Sequence, residues 1–478
     1  MIGIWRDESK ISKVHERVHI LGMNKSKSKS DFMQWVNLLS TQRFKPENGQ
    51  ILPTVTASSE EGAEALRTDF HIDYDRVVFS SGFRRLARKT QVHPFATHDH
   101  THNRLTHSVE VASVGRSLGN RVGVMLNKGG FLPPVNHPAD IGAIVQVACL
   151  AHDFGNPPFG HTGEDALRDW FRDPQNGSYL QDLTVAERRD IETYEGNAHS
   201  LRLITSLEMY QNDGGMRLTA AVIGTLLKYP WTSSASHRDG KFNIYQTELP
   251  IIRAIAAELG LPLIGENHWV RHPLSYLMEA ADDICYALLD LEDAVELDLL
   301  RVDEVEKILS KLTNHEYTWQ ALSSREHCAR LRGVAIGRAV EDIAQTFITH
   351  HRDLLKGTYQ GKDLLALASP DVNEALNEAK ELARTRIFRH GSKLITEIAT
   401  FPCLASILNI LVPAVHAYIK APTVSRRQEL ALSLLREQKL DKKDNLYQAY
   451  MKILDFIGGM TDNTAARLAR EVSGIGML

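Results

Sequence analysis

The 478-residue sequence is poor in cysteine: it has four, Cys149, Cys285, Cys328 and Cys403, scattered along the chain. Three fall in apolar, helix-like runs. That pattern excludes a disulfide-stapled scaffold and points to reduced core thiols and a cytoplasmic location. Excess charge is also missing. A net charge of −4 gives no general attraction to nucleic acid or membrane, so an anionic ligand needs a local basic cluster. Whether DNA is contacted stays open. No apolar run looks long enough to cross a membrane, and the first thirty residues lack the apolar stretch of a signal peptide. Strand patterns are nearly absent, no internal repeat is evident, and no linker divides residues 302–478. What is present, 43% hydrophobic and 24% charged residues, describes a globular chain able to bury one large core or two smaller ones. The expected fold is all-α, with very little strand.

The chemistry gathers in Ala148–Glu164. Residues 141–151 are apolar on every side, which reads as a buried helix. Gly155 and the two prolines that follow Asn156 stop it just past His152-Asp153. A buried helix therefore delivers an imidazole and a carboxylate together, and an unpaired buried carboxylate is costly. A divalent metal is the economical reason for the pair. Two further segments supply what such a metal would still lack. Arg104-Leu105-Thr106-His107 opens an amphipathic helix with a His in its first turn. Residues 275–290 form another helix, with an apolar stripe at Leu277, Ala281, Ile284, Leu288 and Leu291. Asp282, Tyr286 and Asp290, each four residues apart, make a second stripe on another face. His107, His152, Asp153 and Asp282 are the expected ligand set. Two imidazoles and two carboxylates suit Mn, Mg, Fe or Co, and they lack the thiolates of a structural zinc site.

Around this set, Asp75 is an expected N-cap for a short helix carrying Arg84, Arg85 and Arg88, and Thr90-Gln91-Val92 reads as a short strand. His93, His98, His100 and His102 lie in a loop-like tract that no regular element would aim at one point. Helices are expected at 163–172, 197–210, 216–228, 335–355 and 393–418. Arg104, one turn before His107, sits where a guanidinium could grip phosphate. His161, just past the metal pair, could act as a proton donor oriented by Glu164; equally, it could cap the Phe159-Gly160 turn.

The pattern H…HD…D resembles the HD phosphohydrolase superfamily. Arg104-Leu105-Thr106-His107-Ser108, the run from His152 to Glu164, and Tyr276-Leu277-Met278-Glu279-Ala280-Ala281-Asp282-Asp283-Ile284-Cys285-Tyr286 narrow it. Together with Gly459-Met460-Thr461-Asp462 they resemble the bacterial deoxyguanosine triphosphate triphosphohydrolase family, from about Trp35 to Asp462. The resemblance implies an enzyme releasing inorganic triphosphate whole from a dNTP, dGTP being the first expectation. It implies His161 and Glu164 as a catalytic dyad, and Gln91 and Val92 at the sugar and base. Lys228 and Lys241 would lie near the triphosphate, while Tyr286 would exclude a 2′-hydroxyl and Asp290 would accept from the 3′-hydroxyl. It further implies one divalent ion, a homo-oligomer (hexamer or tetramer) and a second dNTP as activator. Residues 1–32 read as a flexible extension with a Lys-Ser linker at 25–30, 33–300 as the HD core, and 301–478 as C-terminal helices packed on it. Two alternatives stay open. One is another HD phosphohydrolase acting on nucleoside monophosphates, cyclic nucleotides or (p)ppGpp; the other is a non-enzymatic nucleotide sensor.

Overall fold

A computed structural model describes residues 32–54, 67–91, 102–208, 214–235, 240–296, 299–313, 323–387, 391–438 and 440–475. Val92, His93, His98, His100 and the expected Lys-Ser linker lie outside the described residues. The fold is all-α, with two small two-stranded sheets. The elements that shape the site are α1 (Asp69–Val78), α2 (Arg104–Lys128), α3 (Pro138–Ala151), α4 (Gly160–Arg172), α5 (Gly196–Arg202), α6 (Ala220–Leu226), α7 (Pro273–Glu296), α8 (Ser324–Thr349), α9 (Pro370–Leu382), α10 (Gly391–Lys420), α11 (Leu446–Gly458) and α12 (Asp462–Val472).

Several local expectations change. Asp75 is interior to α1, whose N-cap is Thr68, and the following short helix Ser81–Arg85 is capped by Ser80, whose side chain accepts from the Phe83 N–H. Hydroxyl residues outcompete Asp75 because they stand where the backbone first turns helical. The expected helix at 197–210 is α5 followed by a wider turn at Leu203–Leu207, and that at 216–228 is α6, capped by Thr219. The run at 335–355 breaks into α8 and a short helix, His351–Lys356. A hairpin, β1 (Arg43–Glu47) with β2 (Gln50–Thr54), pairs Glu47 with Gln50. Its turn is Asn48-Gly49, with φ of 52° and 75°, the pair that tolerates two left-handed residues and matches strand twist.

α3 is buried on all sides, from Ile141 through Val147 to Ala151. It crosses α2 closely because α2 offers Gly115, Gly119 and Gly123 to it. A Cβ at Gly119 would lie 2.7 Å from the Gly142 Cα, and one at Gly123 would lie 2.1 Å from the Pro138 carbonyl oxygen. The apolar stripe of α7, Leu277, Ala281, Ile284, Leu288 and Leu291, is fully buried against this pair. Burying each such Leu or Ile contributes on the order of 1.5–3 kcal/mol.

This first core takes in α8 and α9 as well. A second core joins α4 to α10, α11 and α12 through Leu167, Trp170, Phe171, Leu408, Leu411 and Leu454. The expectation about apolar runs is corrected here. Leu394–Lys420, within α10, is long and apolar enough to cross a membrane by length and composition. Its Leu404, Ile407, Leu408, Leu411, Val412 and Val415 are used in the second core.

Candidate active site

The N-terminal end of α2 and the C-terminal end of α3 meet the middle of α7. Asn103 caps α2, its side chain accepting from the N–H groups of Leu105 and Thr106, and so sets the turn that carries Arg104 and His107. His152 is the C-cap of α3. Its Nδ1–H donates to the Cys149 carbonyl at 2.6 Å, which orients the ring and turns Nε2 toward Asp153 and Asp282. Gly155 serves the chain past this point less as a helix stop than as a contact. A Cβ there would lie 2.1 Å from the Ser200 nitrogen, so only glycine lets α5 approach. The Gly155 N–H and the His152 carbonyl both bond to Ser200 Oγ.

Donor atoms of His107, His152 and Asp153 lie within 4.8 Å of one another. Asp282 Oδ1 stands 3.1 Å from His107 Nε2 and 3.6 Å from His152 Nε2. Arg104 Nη1 donates to Asp153 Oδ2 at 2.7 Å, and Asn156 Nδ2 to Oδ1 at 2.5 Å. Burial opposes the charge of Asp153, yet Arg104, His152 and His107 outweigh it and hold the carboxyl well below the usual range. Burial likewise disfavours a charged His152, but Asp153 and Asp282 lift its ring to about 9. The constellation thus favours positive charge at its centre, and two imidazoles with two carboxylates fit a divalent cation chemically.

His161 and Glu164 lie on the first turn of α4, with His161 Nδ1 3.2 Å from Glu164 Oε2. Glu164 is buried and accepts from the Gly196 N–H at 2.8 Å and from Arg168 at 3.2 Å. Burial works against its ionisation, while the bond from His161 and the charges of Lys241 and Arg168 prevail and hold it at about 2. Lys241 is 3.0 Å from Glu195 and 3.7 Å from Glu164, so it sits behind the dyad. Lys228 pairs instead with Glu279 at 3.3 Å, one turn before Asp282 on α7. The two lysines are therefore held by different carboxylates.

A narrow pocket of about 100 Å³ opens beside the dyad, lined by Gln91, Arg104, His161, Thr396 and Thr400 among others. Within it, Gln91 Oε1 and Arg104 Nε are buried polar atoms without a hydrogen-bond partner among the described residues. Such atoms are costly unless something else completes them. Tyr286 and Asp290 continue the Asp282 face of α7; Asp290 is buried, and burial of the Tyr286 ring, followed by the Asp290 charge, raises the Tyr286 hydroxyl pKa. His102, the one tract histidine described, bridges Asp293 at 2.5 Å and Glu110 at 3.1 Å.

Several residues escaped sequence reasoning. Asn156 steers Asp153; Glu195 bonds Arg168 at 3.1 Å and Lys241, both of which hold Glu164. Lys89 and Asp462 tie the walls together, as described below. Asn156, Lys89 and Asp462 sit inside or beside a motif noted above; the roles of Glu195, Lys89 and Asp462 depend on partners far away in sequence.

Comparison with known proteins decides the family. Residues 104–190 match the HD domain family. The chain is 44% identical to a Pseudomonas aeruginosa "deoxyguanosinetriphosphate triphosphohydrolase-like protein", covering 92% of this chain and 99% of that one. It is 35% identical to a Synechocystis relative of the same name, over 93% and 100%. The chain belongs to the deoxyguanosinetriphosphate triphosphohydrolase family. A further relative of that family, the Yersinia pestis "deoxyguanosinetriphosphate triphosphohydrolase", is 28% identical over 85% of this chain and 94% of its own. Membership makes this an HD-type phosphohydrolase, a metal-dependent fold, and makes the His107, His152 and Asp153 cluster its candidate metal centre.

Proposed function

We propose that the protein hydrolyses a deoxynucleoside triphosphate, dGTP first, to deoxynucleoside and inorganic triphosphate. The observation that carries this reading is that Arg104 joins a donor set of buried His107 and half-buried His152, Asp153 and Asp282 to a hydrogen-bonded His161–Glu164 pair, being bonded to Asp153 and lining the pocket with His161. Those four residues would hold one divalent ion, Mn, Mg, Fe or Co. When bound, it polarises a phosphoryl oxygen and lowers the pKa of water.

The other duties fall to the chain itself. A dNTP brings about four negative charges, and phosphoryl transfer is chiefly positioning and charge neutralisation. Arg104 grips phosphate with the guanidinium face that Asp153 leaves unused. Lys228 and Lys241 bring further positive charge toward the triphosphate. His161 is 78% exposed at the pocket mouth and protonates the departing 5′ oxygen, while Glu164 keeps its Nδ1 protonated and its ring oriented. Gln91 and Asp290 read the 3′-hydroxyl, Val92 the base, and Tyr286 packs where a ribose 2′-hydroxyl would go. Homo-oligomeric assembly as a tetramer or hexamer and activation by a second dNTP belong to the same reading as implications of the family resemblance, and a cytoplasmic location follows from the scattered cysteines.

Hydrolysis in ¹⁸O-labelled water tests it. The expected result is label in triphosphate and none in the deoxynucleoside. Pyrophosphate with dNMP would overturn the reading in favour of another phosphohydrolase chemistry.

A further inference from the structure

Two walls of the pocket come from segments that are far apart in sequence, and a third segment fastens both. The first wall is Lys89–Gln91, which carries the unpartnered Gln91 amide oxygen. The second is the loop from Asp153 to His161. The fastener is the junction of α11 and α12, at Gly458–Asp462.

Asp462 is almost fully buried. Its Oδ2 accepts from the Thr90 N–H at 3.0 Å and from the Thr90 hydroxyl at 2.5 Å. Its Oδ1 accepts from the Phe159 N–H at 2.9 Å. One carboxylate thus holds the residue before Gln91 and the residue two before His161. Lys89 repeats the connection: its buried ammonium donates to the carbonyls of Asn156 at 2.5 Å and Gly458 at 2.6 Å. The Arg104 N–H donates to the Lys89 carbonyl at 3.1 Å, which joins the start of α2 to the same knot.

The Phe159 contact has particular force. Phe159 has φ +65° and Gly160 +58°, two successive left-handed residues immediately before His161. Phenylalanine adopts that region only when its surroundings impose it. The hydrogen bond from its N–H to Asp462 holds the turn from the C-terminal side. An acidic residue at the first position of a helix is ordinarily explained by the helix dipole, but this carboxylate is spent on two other segments.

We propose that Asp462 is a positioning residue for the reaction, holding His161 and Gln91 in register from the C-terminal side. It does so through the left-handed turn at Phe159 and through Thr90. The proposal rests on the roles given above to His161 and Gln91.

The test combines Asp462→Ala, the isosteric Asp462→Asn, Thr90→Val and Phe159→Gly in the full-length protein. A misplacement near 1 Å costs about 10²-fold, so Asp462→Ala is expected to lower kcat by that order with its metal content unchanged. Thr90→Val, which deletes only the hydroxyl arm, should act on KM more than kcat. Phe159→Gly should recover about tenfold in the Asp462→Ala background, because glycine takes the left-handed turn unaided. Hydrogen exchange of the peptide spanning 154–164 should quicken in Asp462→Ala and Asp462→Asn, while that of α3 stays as in the parent. This last readout holds or fails whatever the parent hydrolyses, so it separates the positioning claim from the reaction assigned above. A kcat within twofold of the parent, unchanged exchange at 154–164, or no recovery with Phe159→Gly would each overturn it. If Asp462→Ala does not fold, Asp462→Asn carries the same comparison.

Discussion

His161 and Glu164 share a hydrogen bond of 3.2 Å although one side chain is 78% exposed and the other 2%. The pair joins a solvent-facing imidazole to a carboxylate that the protein keeps charged from behind, through Arg168, Lys241 and the Gly196 N–H. An exposed ring with a buried orienting partner is free to approach substrate without losing its tautomer. General acid catalysis typically contributes about 10²–10⁴-fold. His161→Ala is therefore expected to lose kcat by that order, with metal and nucleotide binding retained. Glu164→Gln should lose less, since it loosens the donor without deleting it. Steady-state kinetics with dGTP check both.

Asp153 links the candidate metal centre to the guanidinium proposed to grip phosphate, because it faces His152 and also anchors Arg104 and Asn156. Replacing it with Ala is expected to abolish both metal content and turnover. Elemental analysis of the purified variant is the check, and a metal load equal to the parent's would remove Asp153 from the ligand set.

Sugar selection makes a separate prediction. Tyr286 lies one turn from Asp282 and one turn from Asp290 on α7, which puts it on the face that carries the candidate metal ligand and the carboxylate proposed for the 3′-hydroxyl. Tyr286→Ala is expected to narrow the preference for dGTP over GTP. Dideoxy-GTP should be a poor substrate of the parent, since leaving a buried polar group unpaired is discriminated strongly. Equal rates with dGTP and dideoxy-GTP would take Asp290 and Gln91 out of the site.

Acid stability has its own determinant. Burial of the His199 ring, with Arg202 adding to it, pushes its pKa down to about 3 against the pull of Asp455. The unfolded chain takes up that proton near pH 6.5, whereas the folded protein refuses it until about pH 3. The stabilisation from keeping His199 neutral is thus complete above pH 6.5 and is lost as pH falls through that window, at up to about 1.4 kcal/mol per pH unit. His199→Phe, which keeps a ring beside Tyr194, should flatten the fall in stability between pH 6.5 and 4. Urea unfolding at each pH measures it.

Much of this protein was legible without coordinates, for reasons that are local. The all-round apolarity of residues 141–151 could only be a helix in the core, and the 3.6-residue period of Leu277 to Leu291 named the buried face of α7. Once those helices are assigned, the positions of His152-Asp153 at a helix end and of Asp282 on a separate face follow from geometry alone. The Asn48-Gly49 hairpin was not among the expectations: its turn pair is a local signature, but its strands are short and without clean alternation.

Tertiary structure alone decided the rest. Lys228 and Lys241 look alike in sequence, yet one faces Glu279 and the other Glu195 and Glu164. Leu394–Lys420 has the composition of a membrane span, and only its packing against α4, α11 and α12 shows which of its side chains are core. Asp462 reads as a helix-dipole residue until Thr90 and Phe159, 372 and 303 positions away, are found bonded to it. Local propensity and periodicity are written within a few residues. Ion-pair choice and hydrogen-bond convergence depend on which distant segments share a volume, and that is settled only when the two cores close.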